Sequence, residues 1–472
     1  MRLTRSVPFR DYKQVFAKSA TVSAPSFVVF LFLYHLHIIH KYAVNILFWD
    51  DWTMFRGSHP ATVSIPWLFD SSFMQATATE HITATTKLFV WMQFQLNGWN
   101  NPVNLVLNFI IYGLFVCWIV WFAHQVVPTL SAYMKWAFVI FLLSPINYRN
   151  HFFATQSCYH FYLIFFFLGA YALFRKEQRW IHVLAGCAFS ILSLFSLAAG
   201  FGSSSVLLIG FCAFKTARVY SRDTAAHRVR EVLQLAIAVL LIGGALSLWF
   251  AHYETLSQGI VIFPNDSRFW SFFLNLVSFG FGIDRMSSTF GVVCLLIVVV
   301  PICAAVWKRK LATTHWAGFV MVAGILVNAA EIAVGRAGYG PFLGPRAMFA
   351  GPKAIRYVEF VLPLIPLSMI NWAVLLQHRT KQQALALAGL FLFCIFTFSN
   401  NWSFDPYRTE AAYRTDGRLC VKAYYKGVGD GRCPTIYSDN ADYIPLSTWL
   451  ENAREEQASF YADIKAEIEK EK

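Results

Sequence analysis

Apolar blocks of about 20 residues recur along nearly the whole chain, and this recurrence limits what it can fold into. A helix of about that length crosses the hydrocarbon core of a bilayer with its backbone polar groups paired internally, which an open sheet cannot do. Composition agrees: 57% of the 472 residues are hydrophobic, 14% are charged, and 46 are Phe. Soluble domains carry about a quarter charged residues. The net charge of +13 does not point to nucleic acid. Its Lys and Arg residues gather in short clusters between the apolar blocks, where the positive-inside rule puts them. The first block is too long for a cleavable leader and lacks a small-residue cleavage site, so it is expected to stay as an anchor. The chain reads as an all-α polytopic membrane protein.

Residues 1–24, with Arg2, Arg5, Arg10, Lys13 and Lys18, are expected in the cytoplasm. A membrane domain over 25–399 follows, with spans expected near 25–47, 100–122, 132–146, 157–174, 181–197, 202–216, 232–250, 288–306, 315–334, 357–376 and 384–399. That makes about eleven transmembrane helices. Arg175–Arg179, Lys215–Arg230, Lys308–Lys310 and His378–Lys381 mark cytoplasmic turns. The first external loop, 49–98, ends in a surface helix over 80–97, and Gly200 and Gly202 suit a tight external hairpin. The apolar run 269–281 is short and Gly-punctuated, so a re-entrant or interfacial helix fits it better than a span. If 269–283 does span, everything after it inverts. Residues 400–472 form a small extracytoplasmic C-terminal domain ending in one amphipathic helix over 446–470.

One loop breaks the charge rule. Residues 335–356 carry Arg336, Arg346, Lys353 and Arg356 and no acid, on the expected outer side. Either a span is miscounted or an anion site needs these cations. Seven of the nine cysteines lie in or beside apolar blocks, where a thiol acts as a small hydrophobe. Cys420 and Cys433 stand apart in the polar tail. A disulfide in an oxidising compartment is the economical explanation, because a metal site would want more ligands nearby.

The chemistry-bearing stretch is Phe48-Trp49-Asp50-Asp51-Trp52, directly after the first apolar block. Tryptophans favour the membrane boundary, so Asp50 and Asp51 are expected at the mouth of a helix, where a carboxylate pair is costly unless something uses it. They could instead cap a helix. Glu80 could act as a helix N-terminal charge, and His81 could be structural. His35, His37 and His40 invite a metal reading that no other ligand cluster supports; His151 and His160 read as packing or hydrogen-bonding residues. Asp50/Asp51, Glu80/His81 and the basic loop converge on one side. Together they meet the needs of glycosyl transfer from a lipid-linked sugar: a carboxylate to take the acceptor proton, and cations to hold the departing phosphate.

On Trp49-Asp50-Asp51-Trp52, Glu80-His81, the Ser144–Gln156 loop, Arg356-Tyr357 and the paired-cysteine tail, the chain resembles the GT-C glycosyltransferase superfamily. Within it, the chain is similar to bacterial and phage-borne glucosyltransferases that modify O-antigen. The resemblance implies a GT-C-like fold in the bacterial inner membrane, with the active site and C-terminus periplasmic. It implies an inverting transferase that moves a hexose, glucose by preference, from a polyprenyl-phosphate carrier to O-antigen or another lipid-linked surface glycan. One of Asp50 and Asp51 would be the base, with Glu80 and His81 beside it, and Arg346, Lys353 and Arg356 would contact the donor phosphate. Relatives carry Glu-His-Arg where this chain has Glu80-His81-Ile82, and Lys87 is a candidate for the missing cation. A donor synthase and a flippase would be natural partners. The adjacent acids could also bind Mg²⁺ or Mn²⁺, though oxygen ligands alone do not require it. The rival classes are a lipid-linked sugar flippase or polysaccharide transporter, an O-antigen polymerase or ligase, and a non-enzymatic envelope partner.

Overall fold

Long apolar runs without side-chain acceptors leave the backbone to satisfy itself, and helices result throughout. The computed structural model describes residues 9–48, 51–52, 68–69, 82–221, 224–253, 261–282, 288–307, 313–339, 357–377, 379–399, 402–437 and 445–472. Among them there is no strand. In chain order the helices are α1 (Phe9–Tyr42), α2 (Ala84–Asn97), α3 (Asn101–Val126), α4 (Ala132–Leu142), α5 (Ser157–Leu173), α6 (Trp180–Leu194), α7 (Ala199–Ser221) and α8 (Ala225–Ala251). They continue as α9 (Ser267–Gly280), α10 (Ser288–Trp307), α11 (Thr313–Arg336), α12 (Val358–Leu375), α13 (Thr380–Phe398), α14 (Asp405–Tyr425), α15 (Leu446–Glu455) and α16 (Ser459–Lys470).

Seven helices among the described residues are long and apolar enough to cross a membrane, as in an α-helical membrane protein: α3, α7, α8, α10, α11, α12 and α13. Three expected spans fold as shorter helices: α4 has 11 residues, α5 has 17 and α6 has 15. The shortening of α4 has a local cause. Ser144 and Pro145 open a series of single helical turns over 145–156, which carries the end of that apolar run out of the helix. The hairpin between α6 and α7 turns at 195–198, so Gly200 and Gly202 fall inside α7 rather than in the turn. The run 269–281 lies within α9, a 14-residue helix packed on α10, α11 and α12.

One end of the bundle gathers the C-terminal end of α1, the start of α3, the 145–156 turns, the start of α12 and the chain after 402. Asn101 donates to the carbonyls of Val44 and Ile46, at 3.0 and 2.9 Å. Asn100 caps α3 by accepting from the Val103 N–H, with Pro102 in the first turn where its missing N–H costs nothing. Gly98 ends α2 at φ 61°, and the buried Trp99 follows at φ 59°, a left-handed pair that turns the chain sharply into α3.

Helices α14–α16 form a cap on this end. Their apolar side chains, among them Val421, Trp449, Leu450 and Phe460, are buried, as is Ile436 in the segment after α14. The Cys420–Cys433 disulfide (S–S 2.05 Å) closes the segment after α14. At Gly417 the α14 backbone lies so close to Ile436 that a Cβ there would come within 2.0 Å of its side chain. The single helix expected over 446–470 is two, because Gln457 turns left-handed at φ 54°. The cap is pinned by the Ser459 N–H donating to the Gly98 carbonyl at 2.7 Å and by Asn45 donating to Asp463 at 2.7 Å. Phe460 meets Trp52 edge to face at 5.4 Å.

Candidate active site

The mouth beneath the cap holds a buried polar network. Asp51, in the short turn after α1, is fully buried. Its Oδ1 accepts from the Thr155 backbone N–H at 3.1 Å and from the Thr155 hydroxyl at 2.8 Å. These bonds hold the carboxylate against the 145–156 turns. Of the residues expected from sequence, the structure therefore places Asp51 at a mouth, and it bears out the Cys420–Cys433 disulfide. Asp50, Glu80, His81, Arg346, Lys353 and Arg356 lie outside the described residues. Lys87 is buried in α2.

Of the other charges at this end, Arg149 lies in the Ser144–Gln156 loop singled out from sequence, whereas Glu410 and Arg414 come from a helix that sequence reasoning did not single out. Glu410 on α14 pairs with Arg149 at 3.0 Å. One turn on, Arg414 is wholly buried, and none of its three guanidinium nitrogens has a hydrogen-bond partner. Its guanidinium carbon lies 4.3 Å from the Phe48 ring centroid and 5.4 Å from those of Phe152 and Phe153. Ring faces attract a cation, more strongly where water is absent. Burial pulls Arg414 down to about 10, while the carboxylates of Glu410 and Asp51 pull it back up. It stays charged at neutral pH, as guanidinium groups do. Arg149 opposes that pull, so the two cations share one neighbourhood.

A second carboxylate lies across the 145–156 turns. Glu359, in the first turn of α12, is fully buried between His160 Nε2 at 2.6 Å and the Asn150 amide at 2.5 Å. His160 Nδ1 meets Asn108 Oδ1 at 2.7 Å, and the Asn108 amide donates to the carbonyls of Asn150 and Phe153 at 3.1 and 2.9 Å. His151 Nδ1 lies 2.6 Å from the Tyr407 hydroxyl. Burial first, and then the nearby His35 and His160, hold His151 well below its ordinary range, so the ring is neutral. Burial likewise raises the Tyr407 phenol well above its usual value. His151 and His160, read from sequence as packing or hydrogen-bonding residues, carry hydrogen bonds that fix the turns between the two acids.

His35 is buried in α1 with Nδ1 3.0 Å from the Leu31 carbonyl, and its ring stacks on Phe109. Among the described residues no group of three His, Cys, Asp or Glu side chains comes together in a way that could hold a metal ion. The signal that could have found Glu410 and Arg414 is the spacing Tyr407, Glu410, Arg414, Gly417, Val421, which marks one buried face of a helix. Comparison with known proteins adds nothing to this geometry: no family model, no curated protein and no solved structure matches the chain.

Proposed function

We propose that the protein is an inverting glycosyltransferase with a GT-C-like fold of about eleven spans, taking a hexose from a polyprenyl-phosphate carrier. The observation that carries this reading is a carboxylate and an unpaired guanidinium, Asp51 and Arg414, in one dry mouth of a membrane bundle. Transfer needs that combination. The acceptor hydroxyl oxygen forms a bond to the anomeric carbon as the bond to the phosphate oxygen breaks, and the configuration inverts. The hydroxyl proton passes to the carboxylate, and the phosphate leaves with both electrons of its bond. Thr155 orients Asp51 for the first part, with Asp50 beside it in sequence. Arg414 and Arg149 supply positive charge for the second, in a low-dielectric site where it counts most. Arg346, Lys353 and Arg356 would add to the phosphate contacts.

Asp51 is closed off, so acceptor and donor enter only when the cap lifts from Gly98 and Asn45. The described surroundings of Asp51 bring no set of ligands for Mg²⁺ or Mn²⁺, and no step is routed through one. In this reading the mouth and residues 400–472 face the periplasm of a bacterial inner membrane. The opposite end, with Arg175, Lys176, Arg179, Arg218 and Arg230, then faces the cytoplasm, as the positive-inside rule asks.

The test is transfer in detergent from synthetic polyprenyl-phosphate hexoses to a lipid-linked glycan, read by mass spectrometry. Asp51→Asn should lower the rate roughly 10²- to 10⁴-fold, the usual worth of a positioned base, with donor binding retained. Undiminished transfer by this variant would remove Asp51 from the mechanism.

A further inference from the structure

The opposite end of the bundle carries a cavity that the transferase reading does not use. It measures about 480 Å³, within the roughly 300–1,000 Å³ of small-ligand sites. The last turns of α3 and α5 supply an apolar floor of Phe122, Val126, Tyr171 and Phe174. The rim is the 175–179 turn and the start of α6, with Arg175, Lys176 and Arg179 against the single acid Glu177.

The rim is built, not merely charged. Arg218 donates to the Lys176 carbonyl at 3.4 Å, and Arg230 donates to the Gln178 carbonyl, so helices on the far side hold the turn in place. The nearby acid Glu231 is already engaged by Lys215 and Arg218, at 2.5 and 2.9 Å. It is not available to neutralise the rim. Arg175 lies over Tyr171 at 5.2 Å and against His182 at 3.2 Å, which points its guanidinium along the cavity wall. Arg175, Lys176 and Arg179 form no ion pair among the described residues. Arg179 sits at the N-cap of α6. There its backbone N–H donates to His182 Nδ1 at 3.2 Å, which ties the turn to the first turn of the helix.

A cationic rim over an aromatic floor, at the end of membrane-crossing helices, matches a ligand with a phosphate at one end and hydrocarbon at the other. We propose that this cavity binds the phosphodiester head of an anionic phospholipid, with the first carbons of its chains on the half-buried Val126 and Tyr171. A free phosphate ion shares the head chemistry but has nothing for the floor. The proposal does not depend on the transferase reading, because it concerns the other end of the molecule and its readout is binding.

The experiment is native mass spectrometry of the detergent-solubilised full chain titrated with phosphatidylglycerol, phosphatidylcholine or inorganic phosphate. Phosphatidylglycerol should be retained roughly tenfold more than phosphatidylcholine, and millimolar phosphate should not displace it. Arg175→Gln with Arg179→Gln should cut that retention roughly 10- to 30-fold, from the usual worth of two cations at an anionic surface. Gln125→Glu, which adds a negative charge to the exposed cavity wall, should cut it several-fold and carries the test if the double variant folds poorly. Arg432→Gln, on the exposed face of the cap, should leave it unchanged. Equal retention of the two lipids would overturn the proposal. So would displacement by phosphate, or full retention by variants that melt like the parent.

Discussion

Helix α14 carries cations on two faces, and they are treated in opposite ways. On its outer face Arg418 pairs with Glu467 at 2.7 Å, and Lys422 bridges Glu467 and Glu471 at 3.0 and 2.7 Å. Lys426 extends the ladder to Glu471. The acids of this ladder are 40% and 49% exposed, so water screens each pair and leaves it worth little. On its inner face Arg414 is sealed in, stacked on aromatic rings and without one hydrogen bond. Pairing is thus abundant where it is worth least and absent where desolvation is most expensive. A charge kept at that cost serves something other than stability, and the transferase reading gives it a task.

The sharpest way to break the comparison is Arg414→Met. Arg414 makes no hydrogen bond, so an apolar side chain of similar length relieves its desolvation cost without breaking a bonded pair. The variant is therefore expected to melt no earlier than the parent in a thermal scan, while its transfer rate falls roughly 10²- to 10³-fold. Early melting with normal specific activity would make Arg414 a structural residue like its outer neighbours.

A second variant asks whether the inner face must be uncovered for turnover. A Cβ built on Gly98 lies 3.9 Å from that of Ser459, close to the roughly 3.8 Å of natural disulfides. Gly98→Cys with Ser459→Cys should cross-link, seen as a gel shift, and should stop transfer until mild reductant releases it. The parent chain, treated identically, controls for the native disulfide. Full activity in the cross-linked form would mean that substrates reach Asp51 without the cap moving.

The smallest effect concerns the outer ladder. Arg418, then Lys422, hold Glu467 at about 2, against an ordinary 4.5. A depressed carboxylate stabilises the fold fully above its unfolded value, and the gain is lost as pH falls through its folded one. The protection of α16 amides against hydrogen exchange, corrected for intrinsic rates, should therefore be flat above about pH 5 and fall between about 4.5 and 2, with a change of no more than about 1 kcal/mol after screening. Glu467→Gln should remove much of that pH dependence.

Much of this architecture is legible from local pattern. Each of the seven membrane-crossing helices overlaps an apolar run, and the two lone polar cysteines are bonded. Asp51 shows itself because a carboxylate beside tryptophans at the end of an apolar run is out of place. Glu359 is hidden for the opposite reason: it stands at the head of a span and reads as a boundary charge, although His160 and Asn150 enclose it. Arg414 and Glu410 are harder to see because α14 is polar in composition: the spacing from Tyr407 to Val421 marks one face, and the contacts show that this face is dry. Those contacts join positions hundreds of residues apart, such as His151 and Tyr407, and no local periodicity encodes such a pairing.

The cap has a consequence for biosynthesis. Tyr407, Glu410 and Arg414 belong to the stretch synthesised after the last membrane-crossing helix, and Ser459 belongs to the stretch that closes it. A ribosome must therefore thread and insert the whole bundle before the chemistry-bearing end can be completed. A nascent chain halted anywhere before Arg414 has Asp51 in place and its buried cation still unmade, so under the proposed transferase reading a half-built molecule would not consume donor.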